Sequence, residues 1–178
     1  GSNMSGVFIN EFGDIGAINA EGNCVMLQHK TGKTIDSFTL PIFHSTVPTV
    51  QGSKLYGATL GRDVYCFDTK THTMVWNYET KGRMYSAPTV YKGVVFVGDN
   101  NGYLHALNQQ TGKVIGLTVL SERIVNPVLL TNQYLFASTF ANELYTLPNP
   151  LVEDKPEEHE QNHLATNHDS SDHDESHA

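Results

Sequence analysis

Clustered positive charge is what this sequence lacks most plainly. It carries 11 Lys and Arg against 19 Asp and Glu, a formal charge of −8 over 178 residues. No segment gathers the cations that nucleic-acid phosphates demand, so a nucleic-acid partner is set aside. No run of about 18 apolar residues is present to cross a bilayer as a helix, and no charged-then-apolar leader opens the chain. Cysteine is scarce too. Cys24 and Cys66 are too few to staple a domain and do not stand as a metal-binding pair, so both read as buried free thiols.

The last stretch lacks still more. All 17 aromatic residues (8 Tyr, 8 Phe, 1 Trp) precede Pro148, and from Glu153 onward nine acidic residues face the single Lys155. That tail therefore holds the whole formal charge and leaves the rest neutral. With almost no aliphatic side chains either, residues 151–178 are expected to be disordered. A helix over Glu157 to Leu164 is the competing reading, but one so short is marginal alone in water. Within the tail, His159, His163, His168, His173 and His177 recur every four or five residues among carboxylates. Imidazole with carboxylate suits Zn, Ni or Cu, held loosely for want of fixed geometry or supporting partners. A merely solubilising tail is the other reading, and no other cofactor is expected.

What is present is a repeat. Ser86 to Ile115 reads as a short strand after a proline, a second strand from Val94 to Val97, an Asn/Gly turn, a third strand from Tyr103 to Asn108, then Thr111-Gly112-Lys113 and a fourth strand. Sliding the chain by 40 residues brings copies into line, the signature of a stacked or radial repeat. Thr46-Val47-Pro48-Thr49-Val50 falls on Ser86-Ala87-Pro88-Thr89-Val90, and one residue short of a further period comes Val125-Asn126-Pro127. Third strands at Cys24 to Gln28, Val64 to Asp68, Leu104 to Asn108 and Leu144 to Leu147 alternate inward and outward side chains, as half-buried antiparallel strands do.

The expected architecture is thus all-β. Four-stranded antiparallel propeller blades occupy 6–45, 46–85, 86–124 and 125–150, the last without its outer strand because Pro148-Asn149-Pro150 cannot feed a central ladder. Residues 1–5 read as an expression scar or short N-terminal stretch. Met4 as the native start would place the protein in the cytoplasm.

Gly102-Tyr103-Leu104-His105-Ala106-Leu107-Asn108-Gln109-Gln110-Thr111-Gly112-Lys113 resembles the quinoprotein-like, or pyrroloquinoline-quinone-like, β-propeller repeat. Its pattern continues to a docking Trp after Thr-Gly-Lys. Blade two keeps Trp76 but has His72 for the Gly; blade three keeps the Gly but has Gly116 for the Trp. The family's dehydrogenases use adjacent cysteines, an acidic calcium set and a catalytic Asp, and none of these is matched here. The resemblance therefore favours the non-catalytic scaffolds, such as the outer-membrane assembly lipoprotein. It implies a binding or assembly module with protein partners in the periplasm or another extracytoplasmic space, and no enzyme. A fragment of a quinone-dependent dehydrogenase, and a metal-handling or sensing protein built on the tail, are the alternatives.

Residues just before each innermost strand are expected at one mouth of the propeller: Phe43-His44, Arg83-Met84 and Glu122-Arg123. His44, Arg83 and Arg123 together would accept an anionic group or acidic peptide; as solvated loop residues they need no function. His105 reads as a packing histidine, lacking a nucleophile or acid within its motif. Asp99-Asn100-Asn101-Gly102 reads as a turn, not a calcium loop, because the spaced acidic ligands are missing.

An open arc of such blades leaves two apolar faces in water. At roughly 25 cal/mol per Å², a few hundred Å² on each would cost about 10 kcal/mol, comparable to a domain's stability. A homodimer of two arcs closing one ring would cover them. So would a longer chain of which this is the C-terminal part, its N-terminus supplying the missing strand.

Overall fold

A computed structural model describes residues 4–151, and fifteen strands with no helix account for their regular structure. The first sheet comprises β1 (Met4–Ile9), β2 (Ile15–Asn19), β3 (Asn23–Leu27) and β4 (Thr34–Thr39). The second holds β5 (Thr49–Gln51), β6 (Lys54–Ala58), β7 (Asp63–Asp68) and β8 (Thr73–Glu79). The third is β9 (Thr89–Tyr91), β10 (Val94–Gly98), β11 (Tyr103–Asn108) and β12 (Val114–Val119). The fourth has β13 (Leu129–Leu130), β14 (Tyr134–Ser138) and β15 (Leu144–Pro148). Each sheet follows chain order with antiparallel neighbours, so the four form blades of an incomplete propeller. The fourth has three strands among the described residues.

Local chemistry explains the recurrence. The third and fourth strands of each complete blade share a bulge at Met26/Leu27, Cys66/Phe67 and Ala106/Leu107, which adds one residue and increases the twist. The hairpin between the second and third strands opens on a side chain that accepts two backbone N–H groups. Asn19 Oδ1 takes those of Glu21 and Asn23 at 3.0 and 2.8 Å; Thr59 Oγ1 takes those of Gly61 and Asp63 at 3.1 and 3.0 Å. Such short polar side chains nucleate turns by standing in for backbone acceptors.

Innermost strands differ for a covalent reason. Pro48 precedes β5 and Pro88 precedes β9, each three residues long, because a proline has no N–H to continue a ladder. Blade two accordingly starts its regular strand at Thr49, three residues later than the pattern suggests, with only a bridge from Ser45 to Thr59 before it. Phe8 stands where those prolines do, and β1 runs for six residues. The Thr49 hydroxyl donates to the Pro88 carbonyl and Thr89 repeats the bond to Val128, stitching each inner strand to the next.

The core lies between blades. Phe8, Ile18, Met26 and Phe38 of blade one meet Leu55, Tyr65 and Phe67 of blade two. Tyr56, Cys66 and Trp76 meet Val95, Val97 and Leu107, and Phe96, Leu104 and Ile124 meet Val128, Leu135 and Ala137. Both thiols are free and buried; burial pushes Cys24 up to about 12 and Cys66 to about 11, which keeps them protonated and unreactive at neutral pH. The Trp76 indole clasps the second junction: its Nε1–H donates to the Gln109 carbonyl at 2.9 Å, and its ring lies where a β-carbon on Gly112 would sit. Gly112 is therefore required twice, by this close approach and by a φ of +69°.

Candidate functional site

Every crossover from an outer strand to the next innermost strand runs past the hairpin of the following blade, and one bond recurs. Leu60 N–H donates to the His44 carbonyl at 3.2 Å, Asn100 N–H to Arg83 at 2.9 Å and Phe140 N–H to Arg123 at 3.0 Å. The three residues thus occupy equivalent places at one end of successive blades. Their side chains do not meet: among the described residues no hydrogen bond or ion pair joins any two of them. His44 is exposed, has a left-handed φ of 54° and edges a shallow cavity of about 320 Å³ with Thr46, Leu60 and Tyr85. Arg83 is exposed, its backbone N–H held by Asn100 Oδ1 at 2.9 Å. Arg123 lays its guanidinium over the Phe140 ring at 4.3 Å and approaches Glu122 at 3.8 Å. Met84, expected at this mouth beside Arg83, is instead fully buried in the blade two/three core.

Behind this end lies a pair that the sequence pattern does not reveal. Asp99 opens the third blade's hairpin, taking the Asn101 and Tyr103 N–H groups on Oδ1 at 2.9 and 3.0 Å. Its Oδ2 takes Gly82 N–H at 3.1 Å and His105 Nε2 at 2.9 Å. Tyr78 Oη lies 3.4 Å from the other His105 nitrogen. Burial alone would push the Asp99 carboxyl up, but the His105 bond and the two hairpin amides outweigh it and hold it below the ordinary carboxylate range. His105 is thus a packing histidine with an acidic partner six residues back. Asn19, Thr59 and Thr139 hold the equivalent place in the other blades, and an ionisable group in that one copy is the signal that points to the pair. The bonded set ties blade two's crossover to blade three and carries no nucleophile.

The outer faces of the two end blades carry exposed apolar side chains. Across blade one, register aligns Val7 with Ala17, Val25 and Ser37, and Ile9 with Ile15, Leu27 and Thr34. Phe8, Ile18 and Met26 point the other way, into the core, so the apolar alternates face outward; Val7 and Ile9 are 59% and 64% exposed. Across blade four, Leu129 aligns with Phe136 and Ser138 with Leu144, and Leu129 and Leu144 are 63% and 69% exposed. Leu135 and Ala137 point inward. Each end blade thus shows an apolar face of the kind that the inner blades bury.

Among the described residues, no group of three or more His, Cys, Asp or Glu side chains is placed to hold a metal, and no helix is long and apolar enough to cross a membrane. The five tail histidines lie outside the described residues.

Comparison with known proteins accords with this architecture. The family described as outer membrane protein assembly factor BamB matches residues 13–115. A protein of that name from Shewanella oneidensis is 31% identical over 101 residues, which are 56% of this chain and 25% of that one. Another, from Marinobacter adhaerens, is 26% identical over 122 residues, 64% of this chain and 31% of its own length. The crystal structure of BamB from Moraxella catarrhalis superposes with a TM-score of 0.70 at 18% identity, over 83% of this chain and 50% of that one. The computationally designed Ika4 protein superposes with a TM-score of 0.71 at 9% identity, over 83% and 91%. These superpositions speak for the fold. The chain spans about a quarter to a third of the length of these curated relatives. The profile covers more than half of its residues, on blades whose repeat positions coincide forty residues apart, and the chain accordingly belongs to the BamB outer membrane protein assembly factor family.

Proposed function

We propose that this chain is a non-catalytic β-propeller arc that binds protein partners and acts in assembly, in the periplasm or another extracytoplasmic compartment. The observation that carries the reading is the pair of outward apolar faces on blades one and four. The names of its relatives support it, since each is an assembly factor. Covering a face of that kind requires another protein surface, because each inner blade stays folded by burying its own face against a neighbour.

A second copy of the chain is the partner that fits most simply. Four blades superpose on half of the Moraxella catarrhalis BamB chain, so two such arcs about a twofold axis have the bulk of one closed ring. His44, Arg83 and Arg123 would then stand at one end of that ring, where an acidic peptide segment would meet three cationic or protonatable side chains.

Size-exclusion chromatography with light scattering tests the reading. The expected species at micromolar concentration has twice the mass of one chain, and Val7→Glu with Ile9→Glu should convert it to monomer. A wild-type monomer would remove self-closure. A monomer whose end faces neither bind a hydrophobic dye nor lose amide protons readily would overturn the partner-binding reading as a whole.

A further inference from the structure

We propose that the outer faces of blades four and one are the two halves of one blade junction, so that a second copy of the chain binds head to tail, its blade one seated on blade four of the first. The inference rests on the self-association reading above and adds which face meets which.

Every inner junction has the same polarity: the face that a blade turns toward its successor meets the face that the successor turns back. At the third junction, Phe96 and Leu104 of blade three meet Leu135 and Ala137 of blade four, with Leu130 and Leu147 packed beside them. Blade four turns its own forward face outward. There Leu129 pairs with Phe136 and Ser138 with Leu144, as Thr89 pairs with Phe96 and Gly98 with Leu104. Phe136 and Leu144 thus repeat, residue for residue, the Phe96 and Leu104 that blade three buries.

The far end of the arc supplies the other half. In blade one, Ile9 pairs with Ile15 and Ile15 with Leu27, as in blade four Leu130 pairs with Leu135 and Leu135 with Leu147. Counted from these pairs, Val7, Ala17 and Leu27 are identical to Val128, Ala137 and Leu147, while Ile9 and Ile15 stand for Leu130 and Leu135. Leucine for isoleucine is an exchange that cores tolerate when they repack. The face that blade one leaves open is therefore nearly the face on which Phe96 and Leu104 already pack. A contact of like faces, one on one or four on four, has no counterpart inside the chain.

One position departs from the inner pattern, and in the apolar direction. Thr89 donates its hydroxyl to the Val128 carbonyl across the third junction; Leu129 holds its register place in blade four and cannot donate. Between copies, apolar packing of Leu129 near Val7 replaces that bond. A head-to-tail contact closes into a ring only where the rotation allows it and otherwise continues as an open chain. Four blades that superpose on half of the Moraxella catarrhalis BamB chain put closure at two copies.

Native mass spectrometry of the full chain, with light scattering for mass in solution, is the test. Val7→Glu with Ile9→Glu spoils the blade one face, and Leu129→Glu with Leu144→Glu spoils the blade four face. All four sites are exposed, so each variant should keep its circular dichroism spectrum; Ile9→Lys and Leu129→Lys replace the pairs if one does not fold. Wild type should be a dimer and each variant alone a monomer. An equal mixture should recover a heterodimer, because blade four of the first variant and blade one of the second are both intact. Wild-type masses above a dimer that both variants abolish also support head-to-tail binding. A variant that stays dimeric alone overturns it, since like faces would then be paired, and so does a mixture that stays monomeric; either result leaves self-association standing. A wild-type monomer removes self-association and this inference with it.

Discussion

Two junctions of this molecule stand on the same frame and are closed differently. Between blades two and three, Trp76 spans the gap, lies on Gly112 and bonds Gln109. Between blades one and two, Asp36 and His72 meet at 3.0 Å and His72 leans on Phe38; a cavity of about 490 Å³ lies beside them, as one of about 500 Å³ lies beside Trp76. An indole buries a large apolar area and one satisfied donor at once, whereas a half-exposed carboxylate and imidazole contribute little to stability in water. The repeat therefore dictates the position of its docking residue without dictating that the dock be filled. At the third junction the place falls to Gly116, and the cleft there is walled by Phe96, Leu104, Leu135 and Leu147.

Breaking the filled junction should have the largest effect. Trp76→Ala is expected to lower the folding free energy by about 3–5 kcal/mol in chemical denaturation, the usual cost of emptying a large aromatic site. A loss below about 1 kcal/mol would show that the indole does not hold blades two and three together. Next comes the polar tie at the same junction. Asp99→Ala strips the acceptor from His105 and three backbone amides, and about 2–4 kcal/mol should be lost. The sign of its pH dependence is fixed by a carboxyl held below its ordinary value. The wild-type advantage is full above the unfolded carboxyl pKa of about 3.9 and is lost as pH falls through the lower folded value. Denaturation at pH 7 and pH 3 should thus show the gap between wild type and Asp99→Ala narrowing in acid.

The comparison is sharpened by converting one junction into the other. Asp36→Trp with His72→Gly should raise the midpoint of thermal unfolding, by about 1–2 kcal/mol of stability, since it adds a buried indole across the junction and relieves a left-handed His. No gain would mean that blades one and two pack on a different frame from blades two and three. The smallest effect belongs to the open faces. Leu129→Lys, at a site 63% exposed, should change the stability of the isolated chain by less than about 0.5 kcal/mol, while shifting any dimer seen by light scattering toward monomer. A large loss in a monomer would show that Leu129 packs within its own chain.

Much of the fold was legible because its signals are local. Apolar alternation, Asn/Gly hairpins and the Pro48, Pro88 and Pro127 spacing each act within a few residues, and register follows from them. In blade two the strand starts at Thr49 and not at Thr46, because Pro48 removes a ladder donor that the apolar pattern still suggests; in blade three it follows Pro88, as the pattern has it. Asp99 read as turn chemistry, and it is that; its second oxygen reaches His105 and Gly82 only once blades two and three pack. Met84 looked like a mouth residue because it adjoins Arg83, but adjacent residues on an extended segment point to opposite sides, and its side is the core.

From the residues alone came an all-β chain of four blades, the expectation of a fourth without its outer strand, and a neutral body with an acidic tail, because period, turn chemistry and charge are properties of order along the chain. Only the tertiary structure decided which alternating face is inside, which hydroxyl and carboxylate tie one blade to the next, and that the Trp76 indole lies on Gly112 and bonds Gln109. Those outcomes depend on side chains forty residues apart meeting across a blade junction, and only packed blades bring them together.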